Sequence, residues 1–264
     1  MTAITLRRDY LGSHRRLAVG RALLTSAAGL IPVPFLDTWL IEAVYGGAFR
    51  RIAADHQIDL DPVAVKNLVH GRTPPASWVE MTGTALAARL ATATWKRFML
   101  ALTALRRAQA ASRSFATLTV FDHYCARIHT GLGLDGARAL LVRETINRAL
   151  LETPGGLSFE PFRRGALGAA RSLARGPLEL ANRASGGRLR RLLDRGKDVH
   201  EAEAVDEIDA IVEAELADTD GVIARTVAAV ELQLTAEVNP YLDDVIERFD
   251  ALWRAAIANR GDEP

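Results

Sequence analysis

Three residues whose side chains can ligate a metal or react as a nucleophile fall on one side of a predicted helix. Asp122, Cys125 and His129 are spaced at i, i+3 and i+7, and residues at this spacing share a helix face. A structural zinc site takes four ligands, and the sequence near these three offers no fourth. A buried thiol beside ordinary polar helix residues is the preferred interpretation, and we predict no metal site.

A run of acidic residues is the second place where chemistry is conceivable. Residues 198–220 contain ten Asp and Glu and no Lys or Arg. Among them, Glu201, Glu213 and Glu215 would suit a di-metal site, but helical bundles build such sites with Glu-x-x-His pairs, which are absent from this run. The apolar residues Val205, Ile208, Ile211, Val212 and Leu216 recur at helical spacing. We therefore predict a helix with a solvated acidic face.

No motif identifies a reaction. The pair of glycines Gly131 and Gly133 lacks the preceding strand and the third glycine of a dinucleotide loop, and the chain has no phosphate-binding Gly-Lys-Ser/Thr sequence. We predict no catalytic residues and no cofactor. Enzymatic activity stays open and is the less favoured alternative.

An uncharged segment with a proline corner organises the N-terminal part of the chain. Residues 22–36 carry no charge, whereas a membrane-spanning helix needs about 20 apolar residues. The prolines end one helical arm and a second restarts after them, so we predict an apolar hairpin. Either it contacts a membrane as an interfacial or re-entrant hairpin, or it is buried in a core. Its predicted contact residues are Leu30, Ile31, Pro32, Pro34, Phe35, Leu36, Asp37 and Trp39.

This segment resembles a known family. The order Leu30-Ile31-Pro32-Val33-Pro34, then Asp37, Phe49-Arg50-Arg51-Ile52-Ala53 and Ile58-Asp59-Leu60, is similar to the uncharacterised bacterial domain of YcjF-type membrane proteins and to EcsC-like proteins. The resemblance covers residues 18–69. It implies an α-helical, membrane-associated module, in some relatives fused to or encoded beside a GTPase, and it implies no catalytic residue.

The sequence departs from that family at two places. Phe35 stands where a small residue, usually glycine, is common, and His56-Gln57 stands where an aromatic residue followed by glycine is common.

The composition is that of an ordered protein from a reducing compartment. The 264 residues are 49% hydrophobic and 25% charged, values typical of globular domains, and the single cysteine excludes an internal disulfide framework. Four arginines in residues 1–16 precede the apolar run, as in a signal peptide, but Asp9 interrupts them and no clear cleavage site follows. We expect an uncleaved cytoplasmic protein, with peripheral attachment at the inner membrane as one possibility.

Charge is distributed unevenly along the chain. Residues 1–197 hold 29 basic and 14 acidic residues, a balance of +15, and residues 198–264 hold 4 and 18, a balance of −14. The two parts can neutralise each other by packing, which we slightly favour, or face separate partners. We divide the chain into a helical domain with the hairpin at 1–152, a Gly/Arg-rich mobile or interfacial segment at 153–197, and an acidic helical bundle at 198–264.

The middle segment carries a predicted basic surface. Its short apolar stretches would suit an interface with anionic lipid, although a solvated loop is the more ordinary interpretation. No nucleic-acid partner is expected, because no binding fold is recognisable and aromatic residues are not interleaved with the basic ones. The residues concerned are Arg163, Arg164, Arg188, Arg190 and Arg191.

Capping signals predict an all-α, multi-helix bundle. Asp61-Pro62 predicts a helix at 63–70 that stops at Gly71, and Asp135 caps a helix that runs to Glu152. One helix or a pair is expected at 76–111, another at 115–130, and three in the last third, at 198–220, 222–238 and 241–259. Residues 60–68 and 134–142 align as one similar helix-cap-helix pattern, which shared capping preferences explain without duplication.

Two functional hypotheses follow from the sequence. In the first, a non-enzymatic helical protein acts at a membrane surface as a peripheral module or adaptor, with an anionic membrane and a protein such as a GTPase as candidate partners. In the second, a soluble helical ligand-binding protein or enzyme has a pocket between the hairpin helices. Asp37 is then the buried polar group, although capping the second arm is its more ordinary role.

Overall fold

The computed structural model describes residues 11–28, 41–72, 93–154, 201–217, 222–236 and 240–261. These residues form eight α-helices and one pair of two-residue strands, which confirms the predicted all-α class. The helices are α1 (Arg15–Ala28), α2 (Gly47–Asp55), α3 (Pro62–His70), α4 (Ala93–Arg127), α5 (Gly136–Glu152), α6 (Glu201–Ala217), α7 (Val222–Ala236) and α8 (Pro240–Gly261). A 3₁₀ turn (Gly12–His14) precedes α1, a π-helical turn (Glu42–Gly46) leads into α2, and the strands are β1 (Asp59–Leu60) and β2 (Gly133–Leu134).

The predicted caps are confirmed at α3 and α5. The Asp61 carboxylate accepts a hydrogen bond from the Ala64 backbone N–H at 2.5 Å, and the Asp135 carboxylate accepts one from the Arg138 backbone N–H at 2.8 Å. Each satisfies a backbone donor that a helix start would otherwise leave free. Helix α3 ends where Gly71 adopts a φ of +65°, a value that glycine takes without strain.

The predicted break between two helices near residues 112–114 is wrong. Helix α4 continues through this stretch and ends at Arg127, three residues before the predicted end. The stretch contains neither glycine nor proline, and Ser112 is buried. The helix therefore has no steric reason to stop, and core packing outweighs the modest helix propensity of serine.

The two strands join distant parts of the chain. They pair in parallel, with Asp59 opposite Gly133 and Leu60 opposite Leu134. Each strand lies between a helix and an Asp-capped helix, so the chain contains two similar units. The first unit is α2, β1 and α3, and the second unit is the C-terminal part of α4, β2 and α5. The paired leucines are the residues that the sequence alignment of the two patterns sets together.

One buried apolar cluster includes residues from most of the helices. Phe49 of α2 meets Phe121 of α4 edge to face, with ring centroids 5.0 Å apart. Tyr124 lies 5.0 Å from the ring of Trp253 in α8, also edge to face. Both arrangements are favourable for aromatic pairs, and they tie the two units and the C-terminal helix together.

The three C-terminal helices all contact elements from the N-terminal part. Helix α6 packs on the π-helical turn, α7 on α1, and α8 on α5 and α4. The boundary that the sequence places before residue 198 stays a prediction. In the described ranges, no helix combines the length and apolar character that crossing a bilayer requires.

Candidate functional site: polar clusters around a π-helical turn

The π-helical turn (Glu42–Gly46) is the point where the polar groups of the interior converge. Such turns are rare and often occur at functional sites. Here the turn lies within the stretch that the sequence predicts as the second arm of the hairpin. Its Ala43 and Val44 carbonyls face Arg21, Glu42 borders one cavity, and Tyr45 borders another.

Arg21 forms the most buried of these clusters. Its side chain is fully buried, and Nη1 donates to the carbonyl oxygens of Ala43 and Val44 at 3.2 and 3.0 Å. The same nitrogen donates to Asp209 Oδ1 at 2.6 Å. Because a buried charge costs several kcal/mol unless it is paired, these contacts hold α1, the π-helical turn and α6 together.

Two further features support this cluster. Glu213 on α6 lies 3.5 Å from Arg21 Nη2 and 3.4 Å from Arg51 Nη2, so acidic residues of the last third neutralise basic residues of the first. Gly47 begins α2 beside them, and a Cβ at this position would overlap Arg21 Nη1 and Asp209 Oδ1. The close approach of the ion pair to the helix backbone therefore requires glycine.

The cavity beside Glu42 has a volume of about 350 Å³ and mixed charges. His70 Nε2 lies 2.9 Å from Glu42 Oε1, and Arg50 places a buried Nη2 without a described hydrogen-bond partner near the cavity. Lys66 and Asp206 also line it, so opposite charges are present in the lining itself.

The cavity beside Tyr45 has a volume of about 300 Å³ and lies between α4 and α5. Arg113 and Arg143 both line it, and none of the carboxylates in the described part of the chain does. Arg143 Nη1 donates to the Tyr45 hydroxyl at 3.3 Å, and its guanidinium carbon lies 5.6 Å from the Tyr45 ring centroid. This arrangement fixes one cation at the cavity by a hydrogen bond and a cation–π contact.

The structure places the three residues at metal-ligand spacing in different local environments. Asp122 Oδ1 lies 2.8 Å from His56 Nε2. Cys125 is buried, and burial, with the nearby Asp122 as a smaller cause, raises the pKa of its thiol. Such a thiol is a poor nucleophile and metal ligand. Within the described ranges, no group of three or more His, Cys, Asp or Glu side chains is placed to hold a metal.

His129 belongs to a different polar network. The Tyr124 hydroxyl lies 3.2 Å from His129 Nδ1 and accepts a hydrogen bond from Arg138 Nε at 3.1 Å. Partial burial lowers the pKa of His129, the Arg138 charge lowers it further, and a hydrogen bond to the Gly131 backbone raises it. The imidazole is therefore held in its neutral form more strongly than a free histidine.

Four other histidines each bridge two elements through a carboxylate. In each pair the histidine and the carboxylate come from different parts of the chain, so the pairs join elements that are distant in sequence. The pairs are His14 with Asp55, His56 with Asp122, His70 with Glu42 and His123 with Asp250.

Most residues singled out by the sequence lie outside the described ranges. These are the hairpin residues Leu30, Ile31, Pro32, Pro34, Phe35, Leu36, Asp37 and Trp39 and the basic residues Arg163, Arg164, Arg188, Arg190 and Arg191. Their roles stay predictions. Of the acidic residues considered for a di-metal site, Glu213 pairs with arginines.

Sequence reasoning missed Arg21, Tyr45, Arg113 and Arg143. A usable signal existed for Arg21, because this charge lies between Ala18 and Ala22 on an otherwise small and apolar helix face. No comparable signal marks the two cavity arginines, since the chain contains 30 arginines and only the fold distinguishes them.

Comparison with known proteins supplies no name for this arrangement. No protein-family model, curated protein or solved structure matches the chain.

Proposed function

We propose that this chain is a non-enzymatic helical module that acts at a membrane surface, as a peripheral protein or adaptor. One observation carries the proposal: buried Arg21 on α1 is hydrogen-bonded to Ala43 and Val44. These contacts join the two ends between which residues 29–40 are inserted. Buried hydrogen bonds therefore hold together the described segments that precede and follow this apolar insert.

The composition of the insert supports contact with lipid. Residues 29–36 are uncharged, and Trp39 follows Asp37, an order that suits the boundary between the apolar and the polar layers of a bilayer. The basic residues between 163 and 191 supply attraction to anionic lipid, each contributing about 1 kcal/mol near the surface. A protein partner such as a GTPase would then be recruited to that surface.

Liposome co-sedimentation of the full chain tests this function. We expect pelleting with vesicles that contain phosphatidylglycerol, weaker pelleting at high salt, and little with neutral vesicles. Leu36→Asp should abolish pelleting, and a variant with Arg188, Arg190 and Arg191 changed to Ala should weaken it. Leu132→Asp is the matched control, because Leu132 is 79% exposed outside the hairpin, and it should pellet as the wild type does.

The buried thiol of Cys125 provides a folding check for every variant. A folded core keeps this thiol slow to react with a disulfide reagent, because it is 7% exposed and its pKa is raised. If wild-type protein with a protected thiol stays in the supernatant under all conditions, the membrane function is wrong.

A second candidate function is that of a ligand-binding protein. The observation that favours it is the pair of cavities, about 350 and 300 Å³, on the two sides of the π-helical turn. Both are of a size that accommodates a small molecule.

A further inference from the structure

The cavity between α4 and α5 presents two positive charges, and no described residue of its lining carries a counter-charge. Arg113 and Arg143 contribute the charges, and the other described lining residues are neutral. The neighbouring Glu144 accepts a hydrogen bond from the Arg72 backbone at 3.1 Å. Glu152 is bound by Arg148 at 2.7 Å and by Arg248. The nearby acidic residues of α5 thus have other partners.

Arg143 is held in position with a donor unused. Its Nη1 is bound to the hydroxyl of Tyr45, which is itself 4% exposed. Its Nε is buried and has no hydrogen-bond partner among the described residues. A buried donor without a partner carries a desolvation cost, so hydrogen bonds among the described residues do not account for the whole Arg143 guanidinium.

Polar residues whose side chains carry neutral donors also line the cavity. They include Ser114 and Asn147. Together with two guanidinium groups they offer more donors than the two oxygens of a carboxylate can accept, but a number that suits a phosphate. Leu150 and Leu151 complete the lining, and Leu151 is 74% exposed, so an apolar group attached to the phosphate would have a surface to contact.

The first unit shows that the fold does not need an arginine at the position that Arg143 occupies in the second unit. With Leu60 opposite Leu134, the residue nine positions beyond each leucine is Val69 in α3 and Arg143 in α5. Val69 is 6% exposed and belongs to the core. An apolar side chain thus satisfies the equivalent position, and the charge of Arg143 requires another explanation.

We infer that this cavity binds the phosphate group of a small amphiphilic phosphate ester, with Arg143 and Arg113 as the charged ligands and the apolar part against Leu150 and Leu151. The same chemistry occurs in a soluble alkyl phosphate and in a phospholipid headgroup. The described lining residues of this cavity belong to the π-helical turn, α4 and α5, whereas the proposed membrane function depends on the predicted hairpin.

Isothermal titration of the full chain with hexyl phosphate, at constant ionic strength, tests the site. We expect saturable binding, weakened by about tenfold or more in Arg143→Gln, because a hydrogen bond to a charged group is lost. Arg143→Lys should bind weakly as well, because lysine lacks the planar fork. Arg127→Gln removes the same charge from an exposed position at the end of α4 and should bind within about twofold of wild type.

Hexanoate and vesicles distinguish the ligand classes. Hexanoate should bind more weakly than hexyl phosphate. If Arg143→Gln also reduces pelleting with phosphatidic acid vesicles, the source is a headgroup; if pelleting is unchanged, the source is a soluble ester. Leu36→Asp should leave hexyl phosphate binding intact, which separates this site from the membrane proposal.

Two results would overturn the inference. One is the absence of saturable binding by wild-type protein up to about 10 mM hexyl phosphate, a concentration at which even weak affinity is detectable. The other is an equal loss of binding in Arg127→Gln and Arg143→Gln, which would show a response to net charge only.

Discussion

The chain builds its centre from two units with the same order of helix, two-residue strand, aspartate cap and helix, and it uses them differently. Positions that face the core stay apolar in both: Leu68 of the first unit and Val142 of the second are both fully buried. One residue further, Val69 is replaced by Arg143, and each of these two borders a cavity. The shared positions therefore maintain the fold, and a position at a cavity is where the units differ in chemistry.

The turns before the strands differ as well. Three residues separate α2 from β1, whereas five separate α4 from β2. The first turn contains Gln57 at a φ of +57°, and the second contains Gly131 at +109°. The first unit thus tolerates a side chain in a left-handed conformation, and the second uses glycine for a wider turn.

Substitutions in the strand pair should give the largest difference in stability between the two units. Leu134 is 2% exposed, whereas Leu60 is only partly buried. Leu134→Ala should lower the free energy of unfolding by about 3 kcal/mol and Leu60→Ala by about 1 kcal/mol, because the cost of truncation rises with burial and with the cavity left behind. Urea denaturation measures both, with an unchanged m-value as the control. Equal losses would mean that both units bury their leucines alike.

The turns provide the next test. Gly131→Gln should destabilise the protein by about 1 to 3 kcal/mol through backbone strain, although a Cβ at Gly131 meets no atom within 4 Å. Gln57→Gly should change stability by less than about 0.5 kcal/mol, because relief of left-handed strain is offset by greater freedom of the unfolded chain. Thermal unfolding of the two variants measures both changes in stability. A large gain from Gln57→Gly would show that glycine suits this turn better than glutamine.

Removal of either aspartate cap should lower the stability of the protein by a similar amount. Asp61→Ala and Asp135→Ala each remove a carboxylate that accepts one backbone hydrogen bond. We expect a loss of about 1 kcal/mol from each, and additive losses in the double variant, measured by chemical denaturation. Asn at either position should retain most of the stability. A loss confined to one site would show that only one unit depends on its cap.

The smallest effect concerns pH and the turn of the second unit. Burial and Arg138 lower the pKa of His129 in the folded state. As pH falls through the ordinary histidine pKa of about 6.5, the unfolded chain takes up a proton that the folded chain does not. The stability contributed by neutral His129 is therefore complete above that pH and declines below it, until the folded state also titrates.

His129→Gln should remove this part of the pH dependence, as measured by denaturation between about pH 8 and pH 5. Glu152 titrates separately, because hydrogen bonds from Arg148 and Arg248 lower its pKa, and its contribution is lost only below its ordinary range near 4.5. If stability depends on pH in His129→Gln as it does in the wild type, His129 is not the source of this pH dependence.

Local signals made part of this fold predictable. Asp61-Pro62, Gly71 and Asp135 act on the nearest backbone groups, so the bounds of α3 and α5 follow from them. The continuation of α4 through Ser112 did not follow, because tertiary burial decides it. The strand pair was not predicted either, since two-residue strands carry no periodic signal.

The candidate sites were less accessible to sequence reasoning. Arg143 and Tyr45 are 98 positions apart, and Arg21 and Asp209 are 188 apart. Such pairs arise from how the helices pack, which no local pattern specifies. The predicted hairpin, in contrast, rests on prolines and missing charges, which are local features of the sequence, and it lies outside the described residues.

The contact between Arg21 and Asp209 also imposes an order on biosynthesis. At about 5 to 20 residues per second, a ribosome adds the 188 intervening positions in about 10 to 40 s. During that interval Arg21 has only backbone carbonyls as partners, so the N-terminal half cannot complete its packing. We expect the nascent chain to present an unfinished apolar surface until α6 emerges, which makes it a natural client for chaperones that bind polypeptides during translation.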